Sequence, residues 1–126
     1  MGEFFGIYNV DERKRLINKE VKRLTKSLKD MDEVRQVTLK KLITEAAFMA
    51  VTLEEARQII TRDGIIEEYQ NGAAQHGLKK SSAVEVYDKM INTYAKVMDQ
   101  INKALPDNKT LDPSEEIMKF AFGNKK

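Results

Sequence analysis

The apolar positions of this chain fall on helical lines. Tyr87, Ile91, Tyr94, Met98, Ile101 and Leu105 follow one another at spacings of four, three, four, three and four. That is one apolar seam down one face, and it predicts a helix over 82–105. Ser82 with Glu85 reads as its capping box, and Pro106 ends it because proline cannot continue the ladder. At ~1.5 Å per residue the helix is about 36 Å long and needs a long partner. Leu39, Leu42, Ala46, Met49, Leu53, Ala56 and Ile60 supply one over 31–63, with Asp30 and Glu33 as a capping box and Gly64 as a left-handed stop. The small side chains of Ala46 and Ala56 allow close approach of the two axes. Thr52 and Glu55 could restart a helix, so a kink near Val51 is an open alternative.

A third line, Ile17, Val21, Leu24 and Leu28, predicts a helix over 10–29, capped by Asn9 with Glu12 three residues on. Between the two long helices, short runs flank Asn71-Gly72, the dipeptide that tolerates positive φ at both central positions of a tight turn. A β-ribbon over 65–78 follows, although Ala73, Ala74 and Gly77 are poor strand formers. After the polar stretch Asp107–Thr110, Asp112, Pro113 and Glu115 open a last short helix carrying Ile117, Met118, Phe120 and Phe122. The expected organisation is an arm (1–9) that docks on a neighbour or frays, one helical domain (10–105), and a linker with a docking segment (106–126). The fold class is mainly α: a long antiparallel helical hairpin with a basic N-terminal helix, a short β-ribbon at the hairpin tip and a short C-terminal helix.

A second apolar set, Phe48, Val51 and Ile59, lies off the seam of the middle helix. One partner helix cannot cover both sets, so these residues are expected at a boundary between subunits of a homo-oligomer.

Charge changes the picture in one place. The chain of 126 residues carries a net charge of +2, yet the stretch from Asp11 to Asp30 alone holds eight basic and four acidic residues. The basic residues are Arg13, Lys14, Arg15, Lys19, Lys22, Arg23, Lys26 and Lys29. Arg15, Lys19, Lys22, Lys26 and Lys29 form a line, with Arg15 roughly 160° around the helix from Ile17. One face packs and the other offers cations to solvent or to a polyanion. Duplex DNA would be met through its phosphates, with little base readout and no aromatic platform for single strands.

Other chemistries find few residues. The chain has no cysteine and a single histidine, His76, beside the predicted turn, so no thiolate or multi-histidine metal site is expected and no cofactor. Adjacent Glu67 and Glu68 would point to opposite faces of a strand and make a poor acid–base pair. There is no phosphate-cradling loop, and catalytic residues are not expected. No apolar run approaches ~18 residues and no secretory pattern opens the chain, so a membrane partner is not expected. Gly2 lacks the Ser or Thr at position 6 that myristoylation wants. Met49, Met90 and Met98 fit the seams as core.

The order of parts resembles the small terminase subunits of tailed double-stranded DNA phages. The resemblance rests on Leu42-Ile43-Thr44-Glu45-Ala46-Ala47-Phe48 in the middle helix, Gly64 at its end, the glycine-containing hairpin, the second long helix and the tail Leu111-Asp112-Pro113-Ser114. It spans roughly Asp32 to Phe122. Ser81-Ser82 stand where one branch of the family often has a proline, and Glu115-Glu116 where it tends to have arginine. The resemblance implies a non-enzymatic ring that recognises viral DNA in the cytoplasm of the infected bacterial host. It would hand that DNA to the large terminase subunit, which holds the ATPase and nuclease. By the same resemblance Ile117, Met118, Phe120 and Phe122 would bind the large subunit. The alternative is a small helical interaction or regulatory module, antitoxin-like or a coiled-coil adaptor, without DNA binding.

Overall fold

The computed structural model describes residues 6–73 and 75–105. In order they form α1 (Val10–Thr25), a 3₁₀ turn (Lys26–Leu28), α2 (Glu33–Asp63), β1 (Ile66–Gln70), β2 (His76–Lys80) and α3 (Ser82–Ala104). The fold is mainly helical with one two-stranded antiparallel sheet. Pro106 and the C-terminal segment, including Ile117, Met118, Phe120 and Phe122, lie outside the described residues.

Asn9 caps α1 as its sequence suggests: its Oδ1 accepts from Glu12 N at 2.8 Å and Glu12 Oε1 accepts from Asn9 N at 3.4 Å. The α-helix stops at Thr25, short of 29. The Thr25 hydroxyl donates to Val21 O (2.6 Å) and the Ser27 hydroxyl to Leu24 O (2.9 Å), and this competition tightens the last turn into 3₁₀ geometry. A corner follows, closed by Met31 N donating to Leu28 O and by Gln36 Nε2 donating to Met31 O. The cap of α2 is Asp32, which accepts from Arg35 N at 2.9 Å, and not Asp30.

From there α2 is continuous to Asp63, with no break near Val51. Gly64 N donates to Ile60 O (2.7 Å), while Gly64 itself sits at φ 89°, ψ −177°. Its φ is positive as expected, but its ψ is extended rather than left-handed helical, so the chain leaves straight into the ribbon.

The ribbon differs most from expectation. The strands pair from Ile66↔Lys80 to Gln70↔His76, so the connection is five residues long and not the Asn71-Gly72 pair. Gly72 has φ +83°, and Asn71 does not have positive φ. The register is fixed from the other end, where Ser81 N donates to Ile65 O at 2.8 Å. It also sets Tyr69 over Gly77, where a side chain would meet the ring at 3.2 Å.

Ser81, not Ser82, caps α3, accepting from Val84 N at 3.2 Å. The next orphan donor, Ser82 N, goes to the Glu67 carboxylate on β1, so Glu67 takes the role expected of Glu85.

One core joins the helices. Leu24 and Leu28 come from α1 and its last turn, and Leu39, Ile43, Ala46, Met49 and Leu53 from α2. Tyr94, Met98, Ile101 and Leu105 complete it from α3. Both expected seams contribute. Ile43, which lies between the two apolar lines read from the sequence, is fully buried.

Candidate nucleic-acid interface

α1 presents its cations where the periodicity puts them. Ile17 and Val21 are half-buried, Leu24 and Leu28 are buried, and Lys14, Arg15, Lys19, Lys22, Lys26 and Lys29 are exposed. Lys22 and Lys26 also line a groove of about 550 Å³ with Val21, Thr25, Lys40 and Thr44. The basic surface therefore continues from α1 onto α2 through Lys40, a residue that single-helix periodicity does not connect to the stripe.

Within the described residues, two of the eight candidate cations are already engaged. Arg23 pairs with Glu20 three residues earlier, at 2.7 Å on an exposed face. Arg13 is held more firmly. Its guanidinium donates to both oxygens of Glu55 at 2.9 Å and to Tyr8 O at 3.0 Å. Glu55 lies on α2 and is only 8% exposed. It also accepts from Ile7 N (2.8 Å), Tyr8 N (3.0 Å) and Arg13 Nε (3.3 Å), so one carboxylate gathers five donor contacts. Burial pushes the Glu55 carboxyl up, but the amides of Tyr8 and Ile7 and the Arg13 guanidinium outweigh it. Its pKa therefore lies below the ordinary carboxylate value. The Tyr8 phenol accepts from Gln58 Nε2 at 2.9 Å, and its pKa is raised by burial and by the charge of Glu54. Residues 6–8 thus dock on α2 of their own chain. A buried acid between apolar positions of α2 and an arginine in the first turn of α1 were the signals for this cluster. Neither periodicity nor charge counting connects them.

The expected apolar triplet on α2 separates. Phe48 is 46% exposed, Ile59 is half-buried and Val51 is buried within the single chain. Val51 lies one turn from Ala47 and one turn from Glu55, both also buried, on the side of α2 that receives Arg13 and residues 7 and 8. Sequence reasoning credited α2 with one partner helix, whereas α1 packs on it as well as α3.

His76 is exposed in the ribbon, and Glu67 faces Lys79 across the strands. Among the described residues, no group of three or more His, Asp or Glu side chains gathers as a metal site, and no helix is long and apolar enough to cross a membrane. Compared with protein-family models, curated proteins and solved structures, the chain matches none.

Proposed function

We propose that the chain is a ring-forming, DNA-recognising packaging subunit of the small terminase type, acting in the infected bacterial cell. The observation that carries this reading is the line of exposed cations Arg15, Lys19, Lys22, Lys26 and Lys29 opposite an apolar stripe that packs into the core. At ~1.5 Å per residue the α-helical part of the line, from Arg15 to Thr25, spans about 15 Å. Lys26 and Lys29 extend it through the 3₁₀ turn, and duplex phosphates are spaced closely enough for several to be met at once. A ring would repeat the line around its circumference, so weak contacts at each subunit would add through multivalency.

In this reading α2 and α3 are an antiparallel hairpin with the ribbon at its tip. The Ser81 N–Ile65 O bond, which ties the end of α2 to the start of α3, supports that, together with the apolar core the two helices share. The tail residues Ile117, Met118, Phe120 and Phe122 would engage the large terminase subunit. Catalysis would belong to that partner.

A second reading has its own observation. Val34, Val37 and Phe48 are exposed on α2, at 78%, 59% and 46%, and would suit a protein partner in a helical interaction module without DNA binding. Duplex binding measured across a salt series separates the two. DNA binding should weaken steeply with salt and show modest sequence preference. The triple variant Lys19→Glu, Lys22→Glu, Lys26→Glu should lose it while keeping its helical signal, because the altered residues face solvent. Retained binding with an unchanged salt slope overturns the assignment of α1.

A further inference from the structure

The ribbon has apolar side chains on its surface and, among the described residues, two open edges. Ile66, Tyr69 and Leu78 are 56%, 43% and 69% exposed. A two-stranded sheet alone in water is marginally stable, and unpaired edges with apolar residues are templates for another strand.

The ladder says which groups are open. Ser81 N bonds Ile65 O and Asn71 N bonds Gln75 O, six residues apart along the same register. In an antiparallel pair bonded and non-bonded positions alternate. Residues 65, 67, 69 and 71 therefore bond inward. Ile66, Glu68 and Gln70 on β1, and His76, Leu78 and Lys80 on β2, aim their amides and carbonyls outward. All six are exposed, and their side chains share one face of the sheet.

Charge decides the partner. β1 carries Glu67 and Glu68, and β2 carries Lys79 and Lys80. Pairing β1 with β1 or β2 with β2 of another copy sets like charges side by side. Pairing β1 with β2 sets opposite charges together. Glu67 is already used by Ser82 N and Lys79, so Glu68 and Lys80 are the outward pair that matters. Lys80 reaches Asp88 at 3.4 Å, but both side chains are more than half exposed and such a pair holds weakly.

We propose that the ribbon is a strand-addition surface for a second copy of this chain, the β1 edge of one copy pairing antiparallel with the β2 edge of the next. One register sets Glu68 opposite the neighbour's Lys80 and Gln70 opposite the neighbour's Leu78. Such an interface is head-to-tail rather than two-fold, so it closes into a ring or runs on as a filament. The proposal deepens the assembly half of the reading above and is independent of DNA.

Sedimentation of the full chain tests it with three variants. Leu78→Pro removes an outward amide and leaves the inward ladder intact, so the ribbon should survive, by circular dichroism, while assembly is lost. Glu68→Lys and Lys80→Glu each set like charges at the contact and should weaken association about tenfold or more. Mixed in equal amounts, these two variants present opposite charges wherever they alternate, so association should recover with unlike copies as neighbours. If association falls in both but the mixture does not recover, the head-to-tail polarity is wrong. If the wild type assembles and none of the variants matters, the edge assignment falls while a ring built on another face survives. If the wild type is monomeric at every concentration, both the edge contact and the ring are overturned.

Discussion

The two ends of this molecule are built on opposite terms. Where the last turns of α1 meet α2 and α3, Leu24, Leu28, Ile43, Met98 and Ile101 are fully buried. At the ribbon, Ile65, Ile66 and Leu78 are 60%, 56% and 69% exposed, and order rests on backbone and capping bonds: Ser81 N to Ile65 O, Gly64 N to Ile60 O, and Ser82 N to Glu67. One end is held by removing apolar surface from water, a gain that grows with the area buried. The other is held by hydrogen bonds that exchange with water at little net gain. Stability is therefore concentrated at the core end, and the ribbon is free to serve an encounter.

The largest test of that contrast is truncation at matched apolar positions. Ile43→Ala removes a fully buried side chain and should destabilise by about 3–4 kcal/mol. On a domain of this size that lowers Tm by more than about 10 °C. Leu78→Ala, at a similarly apolar residue, should change stability by less than about 0.5 kcal/mol under conditions where the chain is monomeric. Thermal melts of the two variants side by side would erase the distinction if the shifts were equal.

Between the two ends, Glu55 fastens residues 7 and 8 and the first turn of α1 to α2. Glu55→Ala strands those donors and should lower stability by about 2–3 kcal/mol. The sign of its pH dependence follows from the depressed pKa. Folding favours the ionised carboxylate, so the contribution is full above the ordinary carboxylate pKa. It is lost as pH falls through that value to the lower one of the folded state. The Tm gap between wild type and Glu55→Gln should therefore be widest near neutrality and narrow in acid. A gap constant with pH would mean that Glu55 acts by shape and not by charge.

A smaller effect is expected at the junction of α2 with the ribbon. Gly64 has φ 89° and open space around its missing side chain, so Gly64→Ala meets no clash and only backbone strain. Positive φ with extended ψ is a region essentially only glycine adopts, so the change should cost about 1–2 kcal/mol, read from denaturant unfolding. A larger loss would show that the junction carries more of the fold than its exposure implies.

What the sequence made legible follows the same division. The seams of α2 and α3 were readable because each line repeats over several turns and its partner lies in the same chain. Asn9 was readable as a cap because its partner is three residues away. Ser82 and Asp30 were each misplaced by one or two residues because several polar residues compete at those starts. The ribbon register was not readable from Asn71-Gly72, because it is set by Ser81 and Ile65 across the sheet. Of the candidate site, the exposed lysines were legible as a line. That Arg13 belongs to Glu55, 42 residues away, and that Lys40 joins Lys22 and Lys26 needed the packing of α1 on α2. Buried Val51 needed the same information.

The smallest stability effect belongs to the basic groove, and it distinguishes two kinds of cation on one helix. Lys22, Lys26 and Lys40 are exposed, so Lys22→Gln, Lys26→Gln and Lys40→Gln should each leave unfolding within about 0.5 kcal/mol of wild type. If they meet phosphates, each should reduce the salt slope of duplex binding by about one. Arg13→Gln should behave in the opposite way. It leaves the buried Glu55 with only the Ile7 and Tyr8 amides, which destabilises the fold, and it removes no free cation from the stripe. Equilibrium unfolding and a salt titration of the four variants should therefore sort them into two groups with no overlap. If Arg13→Gln lowers the salt slope as the lysine changes do, its guanidinium leaves Glu55 when DNA binds. If Lys40→Gln does not lower it, the interface stays on α1 alone.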